Sequence, residues 1–189
     1  MRSSFGKAVL LAGICIVSAP GSWGQSPSSL EVAITYNALR ANIIPGDNFW
    51  MQGGSVQIHG QFWRGLGVVA DIAGMHSANA NGAGQGLDLV TATFGPRYTW
   101  PAVHRRCAVF GQVLVGEANG FHSVFPTSTG VDSSADSLAL QVGGGVNVPL
   151  SHHVAVRAIE ADWLRTQLPN STTGVQNNLR LGAGLVFKF

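Results

Sequence analysis

Apolar and polar residues alternate along much of this chain with a period of two. From residue 178 onward one set reads Leu179, Leu181, Ala183, Leu185, Phe187, Phe189, and the interleaved set reads Asn178, Arg180, Gly182, Gly184, Val186, Lys188. Successive side chains of a β-strand point to opposite faces, so this stretch predicts a strand with one apolar face and one polar or small face. It stops on an aromatic. Chain ends usually fray, so an apolar aromatic at this position predicts burial in a core or in lipid.

Seven further segments carry the same period. Leu30–Leu39 places Leu30, Val32, Ile34, Tyr36 and Ala38 against Glu31, Ala33, Thr35 and Asn37. Trp50–Trp63 sets Val56, Ile58 and Phe62 against Gln57, His59 and Gln61. In Leu66–Gly74, Val68, Ala70 and Ile72 oppose Gly67, Val69 and Asp71. In Leu87–Trp100, Val90, Ala92, Phe94, Pro96 and Tyr98 oppose Arg97 and the threonines. Cys107–Ala118 is apolar on both faces, with Gln112 placed inward and Val113 and Val115 outward. Ser137–Val148 sets Leu138, Leu140, Val142, Val146 and Val148 against Gln141, Gly143, Gly145 and Asn147. Val154–Gln167 holds Glu160 and Asp162 on one face and Ile159, Ala161 and Trp163 on the other.

The connections alternate in length. Segments 40–49, 75–86, 119–136 and 168–176 are long and rich in Gly, Ser and Asn, whereas 64–65, 101–106 and 149–153 are short. A soluble sandwich gives no reason to gather every long loop at one end, but an outer-membrane barrel does. The expected fold is therefore all-β: an eight-stranded antiparallel up-and-down transmembrane β-barrel. Strands of this length cross a hydrocarbon core when tilted, and backbone polar groups in lipid require the last strand to close on the first.

In the predicted register Glu31, Asp71, Arg97, Glu160, Asp162, Arg180 and Lys188 point inward. Arg157 and Arg165 break the pattern and are expected at the ends of strand seven, where the interface tolerates charge. Four inward acids then face three inward bases, and His59 joins them in a polar lumen network. Inward glycines at 67, 143, 145, 182 and 184 make room for these longer side chains, and a polar, plugged interior is expected. Trp50, Trp63, Tyr98, Trp100, Trp163, Phe187 and Phe189 fall at or near strand ends, as an aromatic girdle would.

The N-terminus adds an address. Arg2 and Lys7 precede an apolar run, 8–19, broken only by Ser18, and small residues follow with Ser22 and Gly24 before Gln25. This is the layout of a cleaved secretory signal peptide, assigned to 1–24, with the barrel domain at 25–189. The run is too short for a membrane helix. Ile14 before Cys15 argues against a lipoprotein site. The 11 Lys+Arg and 9 Asp+Glu of the whole chain become nine of each after cleavage, so its basic isoelectric point is no sign of nucleic-acid binding. Cys107 is then the remaining cysteine and forms no intramolecular disulfide. The 25 glycines and 11 % charged residues are unusual for a soluble globule.

With these residues in place, the chain resembles small outer-membrane barrels of the OmpA/OmpX and opacity-antigen type. Gly184-Leu185-Val186-Phe187-Lys188-Phe189 is similar to the Gly-x-x-Φ-x-Φ signal that such barrels present to the insertion machinery, with Gly184, Phe187 and Phe189 as its key positions and Gly182 replacing the usual polar residue. Asp162-Trp163-Leu164-Arg165-Thr166, Gly95-Pro96-Arg97-Tyr98 and Gly143-Gly144-Gly145-Val146 also resemble the family. The resemblance implies a bacterial outer-membrane location, with outer-membrane lipid, the insertion machinery and periplasmic chaperones as partners. It is architectural and names no activity.

The chemical candidates are bland. His152-His153 lies in a short turn, and His76 and His122 are expected in long loops, without the spacing of a zinc site. Some barrels of this type modify lipid with a Ser–His pair. Here His76-Ser77 and His122-Ser123 are adjacent, and adjacent strand residues face opposite ways. Gly82 to Gly86 is not followed by a helix, so it is no phosphate loop, and the Asn170-Ser171-Thr172 sequon is a chance match. Cys107 reads as a packing residue. No catalytic residue, metal site or cofactor is expected, and the surface ligand is open. Three roles fit the residues: a structural or surface-interaction barrel with a plugged lumen, a narrow pore, or a soluble lipocalin-like binder with its apolar face turned inward.

Overall fold

Eight strands form where the two-residue period predicts them. A computed structural model of the chain describes residues 29–42, 48–80, 86–100, 107–127, 130–170 and 174–189. The strands are β1 (Leu30–Ala41), β2 (Phe49–Trp63), β3 (Leu66–Ser77), β4 (Leu87–Trp100), β5 (Ala108–Thr127), β6 (Gly130–Pro149), β7 (Val154–Thr166) and β8 (Gln176–Lys188). They run antiparallel in sequence order and close into a barrel. The expected signal peptide at 1–24, the glycine-rich segment at 82–85 and residues 171–172 of the sequon lie outside the described residues.

Closure is made by β1 and β8, paired from Glu31↔Lys188 to Arg40↔Leu179. The seam is pinned at both ends. Phe189 N donates to Leu30 O at 2.9 Å. At the other end Asn42 N donates to Asn178 Oδ1 at 3.1 Å and Asn177 N donates to Asn42 Oδ1 at 3.0 Å. The short connections share the end of the barrel that carries Leu30 and Phe189. The connections after β1, β3, β5 and β7 share the opposite end, termed the outer end. At the Arg64-Gly65 turn both residues have positive φ, 34° and 92°, which suits a two-residue hairpin turn. A Cβ at Gly65 would sit 2.4 Å from Thr99 O, so glycine is required there on two counts.

Burial is inverted relative to a soluble protein. Ile34, Ile72, Phe94, Val113 and Leu185 are exposed on the outside, Ile72 to 63 %, while Arg97, Arg157 and Arg180 are fully buried inside. Trp63, Tyr98 and Trp100 edge the terminus end and Trp50 lies near the outer end, all on the outer surface. Tyr98 and Trp100 pack edge to face at 4.9 Å.

Three expectations are corrected. Segment 119–136 is not a loop. β5 and β6 continue pairing to Thr127↔Gly130, past a register shift between Phe121 and Phe125. β4 pairing stops at Phe121 and β7 pairing begins at Ala139, so among the described residues neither edge of the ribbon beyond them is paired to the barrel wall. From Phe121 to Thr127 it spans about 20 Å at ~3.4 Å per residue. Arg157 is not interfacial: an irregularity places Asn147 opposite Arg157 but Val146 opposite Ile159. The extra residue reverses parity, so Ala158 and Ile159 both face out and Arg157 turns into the lumen, fully buried. The lumen is also not polar throughout. Its outer part is filled by Leu39, Met51, Leu87, Leu89, Leu164 and Leu168, with Met75 and Phe125 packed in the same cluster.

The inward glycines leave space that neighbours occupy. A Cβ at Gly143 would lie 2.2 Å from Asp162 Oδ1 and 2.3 Å from Ala161 O, and one at Gly182 would lie 2.4 Å from Asn37 Oδ1. Gly143→Val should therefore destabilise the barrel by about 1–3 kcal/mol, the usual cost of overpacking, read as a lower urea midpoint for unfolding in micelles. An unchanged midpoint would show that the wall yields at that position.

Candidate functional site in the barrel lumen

Alternation aims one residue in two at the barrel axis, and in the middle of the barrel those residues are charged or amide-bearing. Gln57 from β2, Asp71 from β3, Arg97 from β4, Gln112 from β5, Gln141 from β6, Arg157, Glu160 and Asp162 from β7, and Arg180 from β8 are all buried. An eight-stranded barrel is narrow enough for side chains from opposite walls to meet, so residues distant in sequence become direct partners.

Two ion clusters share these side chains. In the first, Arg157 NH1 reaches Glu160 Oε2 at 2.8 Å and Gln57 Oε1 at 2.6 Å, and Arg157 Nε donates to Asn147 Oδ1 at 3.1 Å. Arg97 donates to Gln112 Oε1 through Nε at 3.0 Å and also to Gln57 Oε1. Both guanidinium groups lie over the Phe110 ring, with Cζ at 4.3 and 4.6 Å from its centroid, so one aromatic face system helps hold two cations. In the second, Arg180 NH2 lies 2.7 Å from Asp71 Oδ2, 2.9 Å from Asp162 Oδ2 and 3.7 Å from Glu160 Oε1. Gln112 Nε2 joins the clusters by donating to Glu160 Oε1 at 2.9 Å and Asp162 Oδ1 at 3.1 Å.

A third group lies near the terminus end. Glu31 contacts Lys188 Nζ at 3.3 Å through Oε1 and His59 Nδ1 at 3.3 Å through Oε2. Of the candidates read from the sequence, Asp71, Arg97, Glu160, Asp162 and Arg180 thus meet in the central network. Glu31, His59 and Lys188 form a separate cluster. Sequence reasoning missed Arg157, whose inward turn makes four inward bases against four inward acids, so the buried charges balance. The register change itself left no sequence signal; a charged residue predicted to face lipid was the one warning. His59 Nε2, Asp71 Oδ1, Arg157 NH2 and Arg180 NH1 are buried and have no hydrogen-bond partner among the described residues.

On the outer surface a second constellation appears. His76 and His122 were expected in loops, but both lie in strands, β3 and β5. Their Nδ1 atoms each lie 2.6 Å from one oxygen of Asp88, the carboxylate accepting from both. His122 has φ of 58°, a strained value for a residue with a Cβ. It sits where β5 leaves the barrel wall, so the Asp88 clasp ties the base of the ribbon to β3 and β4. Ser77 is buried on the opposite face from exposed His76. Three-strand register brings this trio together, and no local spacing announced it.

No protein-family model matches the chain. No curated protein matches it in sequence. Solved structures do match in shape. Neisserial surface protein A overlays with a TM-score of 0.61 at 13% identity, over 88% of this chain and 100% of that one. The chain has the fold of the small eight-stranded outer-membrane β-barrels. Ail, the attachment invasion locus protein of Yersinia pestis, solved with the heparin analogue sucrose octasulfate, overlays at 0.58 and 16% identity, over 86% of this chain and 99% of that one. The outer membrane protein OprG of Pseudomonas aeruginosa overlays at 0.57 and 10% identity, over 88% and 98%.

The shared Arg180 gives a clear test of the network. Arg180→Met removes the guanidinium facing Asp71 and Asp162 and should cost about 3–5 kcal/mol, because an uncompensated buried charge remains. Adding Asp162→Asn to that variant should recover part of the loss. Urea unfolding in micelles measures both, and full additivity of the two substitutions would refute the coupling.

Proposed function

We propose that this chain is an integral protein of the bacterial outer membrane, delivered by a cleaved signal peptide at 1–24, with a plugged lumen and a structural or surface-interaction role. One observation carries the reading: the wall is apolar outside and charged inside. In water this arrangement would waste the hydrophobic effect and bury ions at cost. In a bilayer, lipid solvates the outer face, and closure of β8 onto β1 pairs the backbone of both edge strands. The same inversion argues against the lipocalin-like alternative.

Two features support a plug. The central charges bond to one another across the axis, and Leu39, Met51, Leu87, Leu89, Leu164 and Leu168 fill the outer part. Gly184, Phe187 and Phe189 are proposed as the insertion signal read by the assembly machinery. Phe189 is 76 % exposed while its backbone is tied to Leu30, so the ring is free for recognition. The β5–β6 ribbon is proposed as the surface-interaction element. Asp132 and Asp136 make it acidic, so a sulfated polyanion of the kind bound to Ail does not suit it.

The folded barrel should run at a different apparent mass on gels before and after boiling, and should resist extraction by carbonate. An unchanged band together with carbonate extraction would sink the membrane reading. Planar bilayers containing the protein should show no steady conductance; discrete channel steps would replace the plug with the narrow-pore alternative. Phe189→Glu should reduce assembled barrel in cells while leaving refolding into micelles intact. Normal assembly would remove the signal role from Phe189.

A further inference from the structure

The β5–β6 ribbon meets the barrel wall at an irregular place. Between the pairs Phe121↔Ser134 and Phe125↔Asp132, residues 122–124 of β5 lie against Ser133 alone on β6. His122 stands at the start of this gap with its left-handed φ of 58°. Two contacts hold the gap, one on each side of the wall. Inside, Phe125 is buried with Leu168 in the outer lumen cluster. Outside, His122 bonds Asp88 and shares it with His76. The first contact is apolar and has no charge to lose. The second is made entirely of groups that titrate.

Three strands assemble the outer contact. His76 of β3 lies directly opposite Asp88 of β4, and Asp88 lies opposite Phe121, the neighbour of His122. The Phe121 and His122 rings pack edge to face at 5.0 Å, which helps orient the imidazole. Each bond to Asp88 is made by Nδ1, so each ring must carry a proton there. A neutral imidazole has one proton for two nitrogens, whereas the cation has N–H at both. A bond from the cation to a carboxylate is also charge-assisted and roughly twice as strong. The clasp is tightest where both histidines are cations and Asp88 is ionised. It loosens as pH rises through the range in which imidazole loses its proton, and again toward about pH 4, where carboxylates take one up.

The surroundings leave this chemistry uncontested. β2 sets uncharged Gln52 opposite His76, and its Oε1 accepts the Tyr36 hydroxyl. β3, β5 and β6 carry no Lys or Arg, and Arg97 of β4 is buried in the lumen. The other charged groups near the clasp, among the described residues, are acidic: Glu117 on β5, and Asp132 and Asp136 on β6, with Asp136 accepting from Asn119. They favour cationic histidines, and no other base competes for Asp88. Both imidazoles are exposed, so protons reach them freely and the contact is weak enough to switch.

We propose that His76, Asp88 and His122 form a pH latch on the ribbon. Closed in mildly acidic surroundings, it fixes the angle between ribbon and wall. Opened as the pH rises past neutral, it lets the ribbon turn about its remaining anchor, Phe125. With the outer bond lost, the positive φ of His122 no longer has a contact to offset its strain, and residues 122–124 relax. The inference rests on the reading of the ribbon as the surface-interaction element and adds its regulation.

The full chain, with Cys15→Ser and Cys107→Ser, is refolded into micelles with spin labels at Val131→Cys on the ribbon and Asn177→Cys on β8. Pulsed electron paramagnetic resonance reads the distance between the labels at about pH 5.5 and about pH 8, on either side of the imidazole range. With the latch residues intact, one narrow distance should dominate at the lower pH. Its population relative to all others should fall about fivefold at the higher pH, as expected for two exposed ion pairs. Asp88→Asn should give the broad distribution at both pH values. His76→Gln/His122→Asn should remove the pH dependence, asparagine being tolerant of a left-handed φ. His152→Gln/His153→Gln, at the opposite end of the barrel, should leave it intact. Identical distributions at both pH values with the latch residues intact overturn the proposal, and this comparison needs no variant to fold. A pH response that survives His76→Gln/His122→Asn overturns it equally. The distance is read on the protein alone, so a failed latch leaves the ribbon's surface role standing, and a ribbon that binds nothing leaves the latch standing.

Discussion

Closure of the sheet between β1 and β8 is the constraint on which everything else in this molecule rests. An open eight-stranded sheet would present two rows of unpaired N–H and C=O groups, and in hydrocarbon each would cost several kcal/mol. Pairing from Glu31↔Lys188 to Arg40↔Leu179 removes both rows at once. It also creates an inside. Once the wall is closed, each strand has one face that meets the surroundings and one that meets seven other strands, so the two-residue period becomes a division between solvent and lumen.

The lumen then has to solve an electrostatic problem. A carboxylate or guanidinium taken from water into a narrow interior carries a desolvation penalty that only good partners offset. Here Arg180 sits among Asp71, Asp162 and Glu160, and Arg157 sits on Glu160, Gln57 and Asn147. The bulge in β7 belongs to this solution. By reversing parity it takes Arg157 out of the lipid-facing row, where a cation is costly, and supplies the fourth inward base. Small residues at Gly143 and Gly182 leave room for Asp162 and Asn37, so the polar cluster and the wall are fitted to one another.

Outside, the wall meets two environments along its height. The central band of Ile, Val, Leu and Phe suits lipid, and the outer rim carries charge again. That rim is uneven: the β4–β6 side bears the carboxylates, the histidine clasp and the protruding ribbon, while the β7–β8–β1 side bears Arg40 and Arg165. The strained φ of His122 lies on the acidic side, where the ribbon departs from the barrel, and its bond to Asp88 gives the strain a structural use.

The pattern of side chains by itself determined the strand count, the antiparallel meander, the faces of nearly every strand and the inward direction of Asp71, Arg97, Glu160, Asp162 and Arg180, because a period of two needs no distant information. It did not determine features that depend on parity or on register between strands. Arg157 was misplaced because one added residue reverses every assignment on its side of the bulge. The apolar outer lumen was missed because near strand ends both faces carry Leu, Ala and Met, and alternation no longer distinguishes them. The ribbon was taken for a loop because its polar residues lack an apolar face, although β5 and β6 still satisfy each other's backbone. The union of His76, Asp88 and His122, and the flanking of β8 by Arg40 and Arg165, were decided only when eight strands took a common register, since contacts between strands are set by closure of the whole barrel and by no single strand.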